Sequence, residues 1–200
     1  MTNKNKYTID DVIAILENKF INTLKPVDYG KAIQSAAESY VELKVNEILG
    51  ENCIIDVTEN DDLIEKYNYV NNGPGFDRLV TQSNTRLQIK FRQVEGVHPY
   101  SRQTHFSNTR RHSKKNKGNG DSTGNIAYRC DEFDYVLVVL CHIKNKVRTT
   151  FDKWCFSLIP TCELVDVNNT EYCSPNISSD KLYKYKLDDI YMLTKKLKSL

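Results

Sequence analysis

Three residues in the stretch GFDRLVTQSNTRLQIKFRQ (Gly75–Gln93) have the types and spacing to do chemistry: Asp77, Gln88 and Lys90. Both apolar runs in this stretch read as β-strands, and a strand alternates its side chains with a period of two. Gln88 and Lys90 therefore share a face. A hairpin would bring Asp77 opposite them. Asp77 and Gln88 then offer side-chain oxygens to one hard cation, and Ile89 offers its backbone carbonyl. That donor set suits Mg²⁺, with Mn²⁺ as a substitute. Lys90 falls one pleat further on, where an ammonium can hold a phosphate and the water that attacks it. Chemistry of that kind is metal-assisted phosphodiester hydrolysis. A half-exposed hairpin with no chemical role fits the same letters, so the neighbouring elements must decide.

The pattern before the hairpin predicts two helices. Thr8–Leu24 repeats apolar residues at helical spacing and ends before Pro26. Tyr29–Leu49 carries a stripe of Ile33, Ala37, Val41, Val45, Ile48 and Leu49, with Gly50 as its stop. Glu38 and Glu42 stand four apart beside that stripe, on one side of the helix. Cys53–Thr58 reads as a short strand, Glu59–Asn72 as irregular or partly helical, and NNGPG (Asn71–Gly75) as a turn. Phe76–Thr81 and Arg86–Arg92 are the two strands of the expected hairpin. After a polar stretch, Phe133–Ile143 is apolar throughout, as in a strand buried on both faces. Trp154–Ile159 is a further strand, closed by Pro160, and Leu187–Leu200 is a last helix. The prediction is one α/β domain over residues 1–200, with a central mixed β-sheet flanked by helices. An N-terminal helix spans 1–28, the core with the Asp and Gln-x-Lys strands 29–93, a basic insertion 94–129, and the remaining core 130–200.

In this setting the motif resembles the PD-(D/E)xK nuclease superfamily, whose members include type II restriction endonucleases, Mrr-like modification-dependent nucleases and resolvases. The resemblance rests on Pro74, Gly75, Phe76 and Asp77, then Leu87, Gln88, Ile89, Lys90 and Phe91. VELKVNEIL (Val41–Leu49), CDEFDYVLVVL (Cys130–Leu140) and WCFSLIPTCEL (Trp154–Leu164) extend it over about Ile33–Leu164. It implies a restriction-endonuclease-like core and Mg²⁺-dependent, sequence-specific cleavage of double-stranded DNA that leaves 5′-phosphates. The metal would sit on Asp77, Gln88, the Ile89 carbonyl and an acid of the preceding helix, Glu42 with Glu38 as its rival. Lys90 would position the attacking water. Gln88 stands where an acid is usual, as in Mrr-like members, and Pro74 stands three residues before Asp77 rather than next to it. A structure- or modification-dependent nuclease and a non-catalytic DNA-binding protein of the same fold are the alternatives. A palindromic target would imply a homodimer.

Charge supports a polyanionic partner. Arg86–Lys117 holds nine Lys and Arg against the single acid Glu95, a net +8, which leaves −6 for the rest of a chain whose net charge is +2. Arg92 is a candidate DNA contact, Arg110, Arg111, Lys114 and Lys115 are candidate phosphate contacts, and Arg102 and Gln103 candidate base readers. A solvated charge run is the plain alternative. His105, Asn108 and His112 also suggest an HNH centre, but the flanking strands that motif needs are missing from the pattern. Six cysteines with no C-x-x-C pair read as free thiols. A zinc site from His142, Cys155, Cys162 and Cys173 matches no usual spacing. No run is long enough to cross a membrane and no signal peptide is visible, which predicts a cytoplasmic location.

Overall fold

A computed structural model of the protein describes residues 26–57, 60–67, 75–95, 98–100, 103–106, 127–144, 147–148 and 153–200. The helix expected over Thr8–Leu24 lies outside them. The second helix is α1 (Pro26–Leu49), which takes in three residues that the sequence pattern had placed before it. Its apolar stripe buries Ala37, Val41 and Val45, with Tyr40 beside them. Ile48 departs from the expected stripe and is exposed, whereas Leu49 packs on the core. Gly50 ends the helix at φ +113°, a left-handed conformation that a Cβ would strain. Its N–H donates to the Asn46 carbonyl at 2.9 Å.

The remaining elements are β1 (Ile54–Asp56), α2 (Asp61–Lys66), β2 (Arg78–Val80), β3 (Thr85–Glu95), β4 (Thr104–His105), β5 (Tyr135–Lys144), β6 (Val147–Arg148), β7 (Cys155–Pro160), β8 (Asn176–Ile177), α3 (Ser179–Lys184), β9 (Lys186–Leu187) and α4 (Ile190–Lys198). The main sheet runs β1-β2-β3-β5-β7-β9, with β6 paired to the far end of β5. Every neighbouring pair is antiparallel except β3 and β5. A parallel pair needs a crossover connection. Here residues 96–134 make it, and they carry most of the basic segment as well as β4, which pairs with β8 in a separate two-stranded sheet. The fold is thus mixed α/β, a mostly antiparallel sheet flanked by helices.

The sheet is covered on both faces. Leu137, Val139 and Cys141 of β5 join Ala37, Val41 and Val45 of α1 and Leu193 and Leu197 of α4 in one core. Val136, Val138 and Leu140 join Phe76, Phe106, Tyr128, Phe133 and Leu182 in the other. This alternation is why the β5 sequence is continuously apolar. Trp154 belongs to the first core, against Tyr40 and Phe91.

The predicted hairpin is present, with register Arg78↔Leu87, Leu79↔Arg86 and Val80↔Thr85. Its turn, 81–84, places Asn84 at φ 54°. β2 is shorter than expected at its start, and Phe76 and Asp77 lie before it. Asp77 N–H still donates to the Leu87 carbonyl at 2.9 Å. Beyond Leu87, β3 continues along β5 alone among the described strands. That divergence of β2 from β3 creates an edge in the middle of the sheet.

Candidate active site

The edge exposes backbone groups that must find partners. Odd-numbered residues of β3 turn their N–H and C=O toward β2, as Leu87 does to Asp77, and even-numbered ones toward β5, as Arg86 does to Asp134. Past Leu87 the odd groups are satisfied by side chains. Asp77 Oδ2 accepts from Ile89 N–H at 2.7 Å. Gln34 of α1 spans the next step: its Nε2 donates to the Ile89 carbonyl at 3.1 Å and its Oε1 accepts from Phe91 N–H at 2.8 Å. The same Nε2 donates to Glu38 Oε1. Glu38 and the Ile89 carbonyl therefore share one amide group.

Gln88 is buried and donates its Nε2 to Asp77 Oδ2. An ionised carboxylate accepts only, so the amide must turn its nitrogen toward it. This alters the expected role of Gln88. In this arrangement its nitrogen, not its oxygen, faces Asp77.

The helix-borne acid Glu38 lies within electrostatic reach of Asp77. Its carboxyl is pushed up to about 7, first by burial and then by the negative charge of Asp77; the Gln34 hydrogen bond, Arg78 and Lys90 act in the opposite sense. Glu42, the acid preferred from sequence, is engaged elsewhere. Arg78, only 4% exposed, sets its guanidinium against Glu42 Oε2 and Asp56 Oδ2, each at 2.7 Å. The Arg78 Nε contact with Glu42 is an ion pair whose alignment falls short of a hydrogen bond. Nη1 of Arg78 also donates to the Asp77 carbonyl at 2.9 Å. The two acids expected to compete for one role thus have different partners, Arg78 for Glu42 and Gln34 for Glu38. Both acids share the helix side that the spacing predicted, but Arg78 draws one of them into a structural ion triad.

Lys90 projects from the same strand face as Gln88, and its ammonium lies 5.0 Å from the centre of the Tyr128 ring. Two residues on, Arg92 Nη1 donates to Thr104 Oγ1 at 2.9 Å. Arg92 and Gln103, both predicted from sequence to touch DNA, line a common groove with Phe91, Thr104 and Asn176. Arg86 is taken up inside the fold, bonding Asp134 through Nε at 3.1 Å and Nη2 at 2.9 Å. Arg102, Arg110, Arg111, Lys114 and Lys115 lie outside the described residues, as do Asn108 and His112 of the HNH pattern.

Asp77, Glu38 and the Ile89 carbonyl are hard oxygen donors of the type Mg²⁺ and Mn²⁺ take. Two acids set close enough to raise the pKa of one have room for added positive charge, so the residues fit a divalent cation. Among the described residues no three His, Cys, Asp or Glu side chains form a cluster that could hold a metal ion. Cys155, Cys162 and Cys173 of the drawn zinc pattern form no such cluster either. Gln34, Arg78, Tyr128 and Asn176 escaped the sequence reading. Only Gln34, one helical turn before Glu38, and Arg78, a cation inside an apolar strand, left any signal there.

No family model, curated protein or solved structure matches the chain. Among the described residues no helix is long and apolar enough to cross a membrane.

Proposed function

We propose that the protein is a Mg²⁺-dependent endonuclease of the type II restriction class, with a restriction-endonuclease-like core, that cuts double-stranded DNA and leaves 5′-phosphates. The observation that carries this reading is the convergence at one sheet edge. Asp77 is bonded to Gln88 and Ile89, Glu38 is joined to the Ile89 carbonyl through Gln34, and Lys90 stands on the adjacent pleat. Asp77 and Glu38, with the Ile89 carbonyl, would hold the cation. When bound, the cation supplies Lewis-acid polarisation of the phosphate and a more acidic water. Gln88 holds the Asp77 carboxylate in place. Lys90 holds the attacking water or a phosphate oxygen, with the Tyr128 ring limiting where its ammonium can go. The basic crossover holds the duplex, and a homodimer would cut both strands of a palindromic target.

The test is cleavage of plasmid and genomic DNA from several sources, methylated and unmethylated, together with a four-way junction, in Mg²⁺ and in Mn²⁺. Wild type yields discrete fragments from duplex DNA. Asp77→Ala, Lys90→Ala and Glu38→Gln each lower the rate by at least ~10²-fold. Cutting of methylated DNA or junctions alone moves the reading to a modification- or structure-dependent nuclease. No cutting of any substrate, with DNA binding retained in EDTA, leaves a non-catalytic DNA-binding protein and ends the enzyme reading.

A further inference from the structure

The groove beside Lys90 joins residues far apart in sequence. It is open, about 490 Å³ in volume, and lined by Phe91, Arg92, Gln103, Thr104 and Asn176. Arg92 follows Lys90 by two residues on the same strand face, about 6–7 Å along β3. The buried Thr104 hydroxyl accepts from its Nη1 and so fixes the guanidinium at the groove wall. Gln103 immediately precedes β4, and Asn176 opens β8. The β4–β8 ladder, Thr104↔Ile177 and His105↔Asn176, sets the two exposed carboxamides on one small sheet.

We propose that this groove binds the nucleotide next to the cleaved phosphate, with Arg92 on a backbone phosphate and Gln103 and Asn176 on the edge of its base. The inference rests on the nuclease reading, and within it names the residues that set sequence preference. The chemistry selects the ligand. A guanidinium fork matches phosphate oxygens. A carboxamide presents a donor and an acceptor side by side, the pattern that reads a base edge. A simple anion would use the cation and leave both amides without a purpose. Among the described residues no carboxylate lines the groove. Phe91 packs its ring on Trp154. A strand whose scissile phosphate lies at Asp77 and Lys90 and which runs along β3 must pass over this groove.

The experiment measures binding in EDTA, so that it is independent of cleavage. The probes are a pool of 30-base-pair duplexes with a randomised centre, whose bound fraction is sequenced, and one fixed duplex titrated against salt. Gln103→Ala and Asn176→Ala are expected to change the favoured base at a single position, each with a preference loss of roughly tenfold. Arg92→Ala is expected to weaken binding to all sequences and to lower the salt slope by about one, whereas Arg92→Lys keeps the slope. Both amides are exposed, and a cooperative melting transition in each variant confirms that it is folded. If wild type enriches no sequence, or both amide variants enrich the same one, the groove does not read a base, while a protein that still cuts DNA through Asp77 remains a nuclease. Absence of any DNA binding sinks both ideas.

Discussion

Gln88 shows how one amide changes the state of a two-acid site. A glutamate in its place would set a second carboxylate against Asp77 Oδ2, where the amide now donates. The second carboxyl at this edge comes instead from α1, as Glu38. Since the folded-state pKa of Glu38 is about 7 against 4.5 in the unfolded chain, folding favours its protonated form. The unfolded state then binds fewer protons than the native state between these values, and stability falls as pH rises through that window. Glu38→Gln removes the effect. In chelator it is expected to match wild type near pH 4 and to be more stable by roughly 1–3 kcal/mol at pH 8, read from urea midpoints at the two pH values. Equal midpoints at pH 8 would mean that Glu38 is ionised there at no cost, and its contact with Asp77 would be lost as an argument. Asp77, Gln88 and Lys90 were legible in the sequence because a hairpin is local and a strand has a fixed period. The different partners of Glu38 and Glu42 were not. Helical spacing puts both acids on one side, and what separates them is an arginine that arrives from another strand.

Helix α1 is attached to the sheet by polar side chains as well as by its buried stripe. Gln34 bridges the Ile89 carbonyl and Phe91 N–H on β3. Asn46 does the same for Ile54 on β1, donating to its carbonyl at 2.8 Å and accepting from its N–H at 2.9 Å. Between them Arg78 ties Glu42 of α1 to Asp56 of β1 and to the carbonyl of Asp77. A buried cation with two anionic partners is costly to interrupt from one side, because the anions are left uncompensated. Arg78→Met is expected to lose about 3–5 kcal/mol in urea unfolding. Arg78→Lys should recover only part of it, since a point charge cannot reach both carboxylates and the carbonyl together. A fully stable Arg78→Met would show that hydrophobic packing alone seats α1. The strands themselves were readable, β5 most of all, because their apolar residues face two cores. The early end of the β2–β3 pairing was not, since it depends on Asp77 turning its carboxylate onto Ile89 N–H and on a helix amide arriving to cap the next step.

The whole molecule separates its folded frame from much of its positive charge. The crossover between β3 and β5 leaves one core at Phe106 and rejoins it at Tyr128, and these two rings stack with centroids 4.7 Å apart and planes 21° apart. Phe106 N–H is bonded to the Pro175 carbonyl at 2.6 Å, and Cys173 N–H to the Tyr128 carbonyl at 2.7 Å, so both ends are anchored on the same neighbouring segment. Residues 107–126 therefore begin and end at a closed point of the fold. They include Arg110, Arg111, Lys114, Lys115 and Lys117, five of the nine cations in the basic stretch, against Asp121. Excising 107–126 and closing the gap with a short Gly-Ser linker should leave the cooperative melting transition within a few degrees of wild type. If the five cations hold phosphates, the slope of log binding constant against log salt should fall by up to about 4.5, at roughly 0.9 per phosphate contact. Anisotropy titrations of one duplex between 50 and 200 mM salt measure this directly. A deletion that melts without cooperativity would show that the crossover belongs to the core. A folded deletion with an unchanged slope would assign the five cations to solvent, and the nuclease reading would lose the segment that holds its substrate.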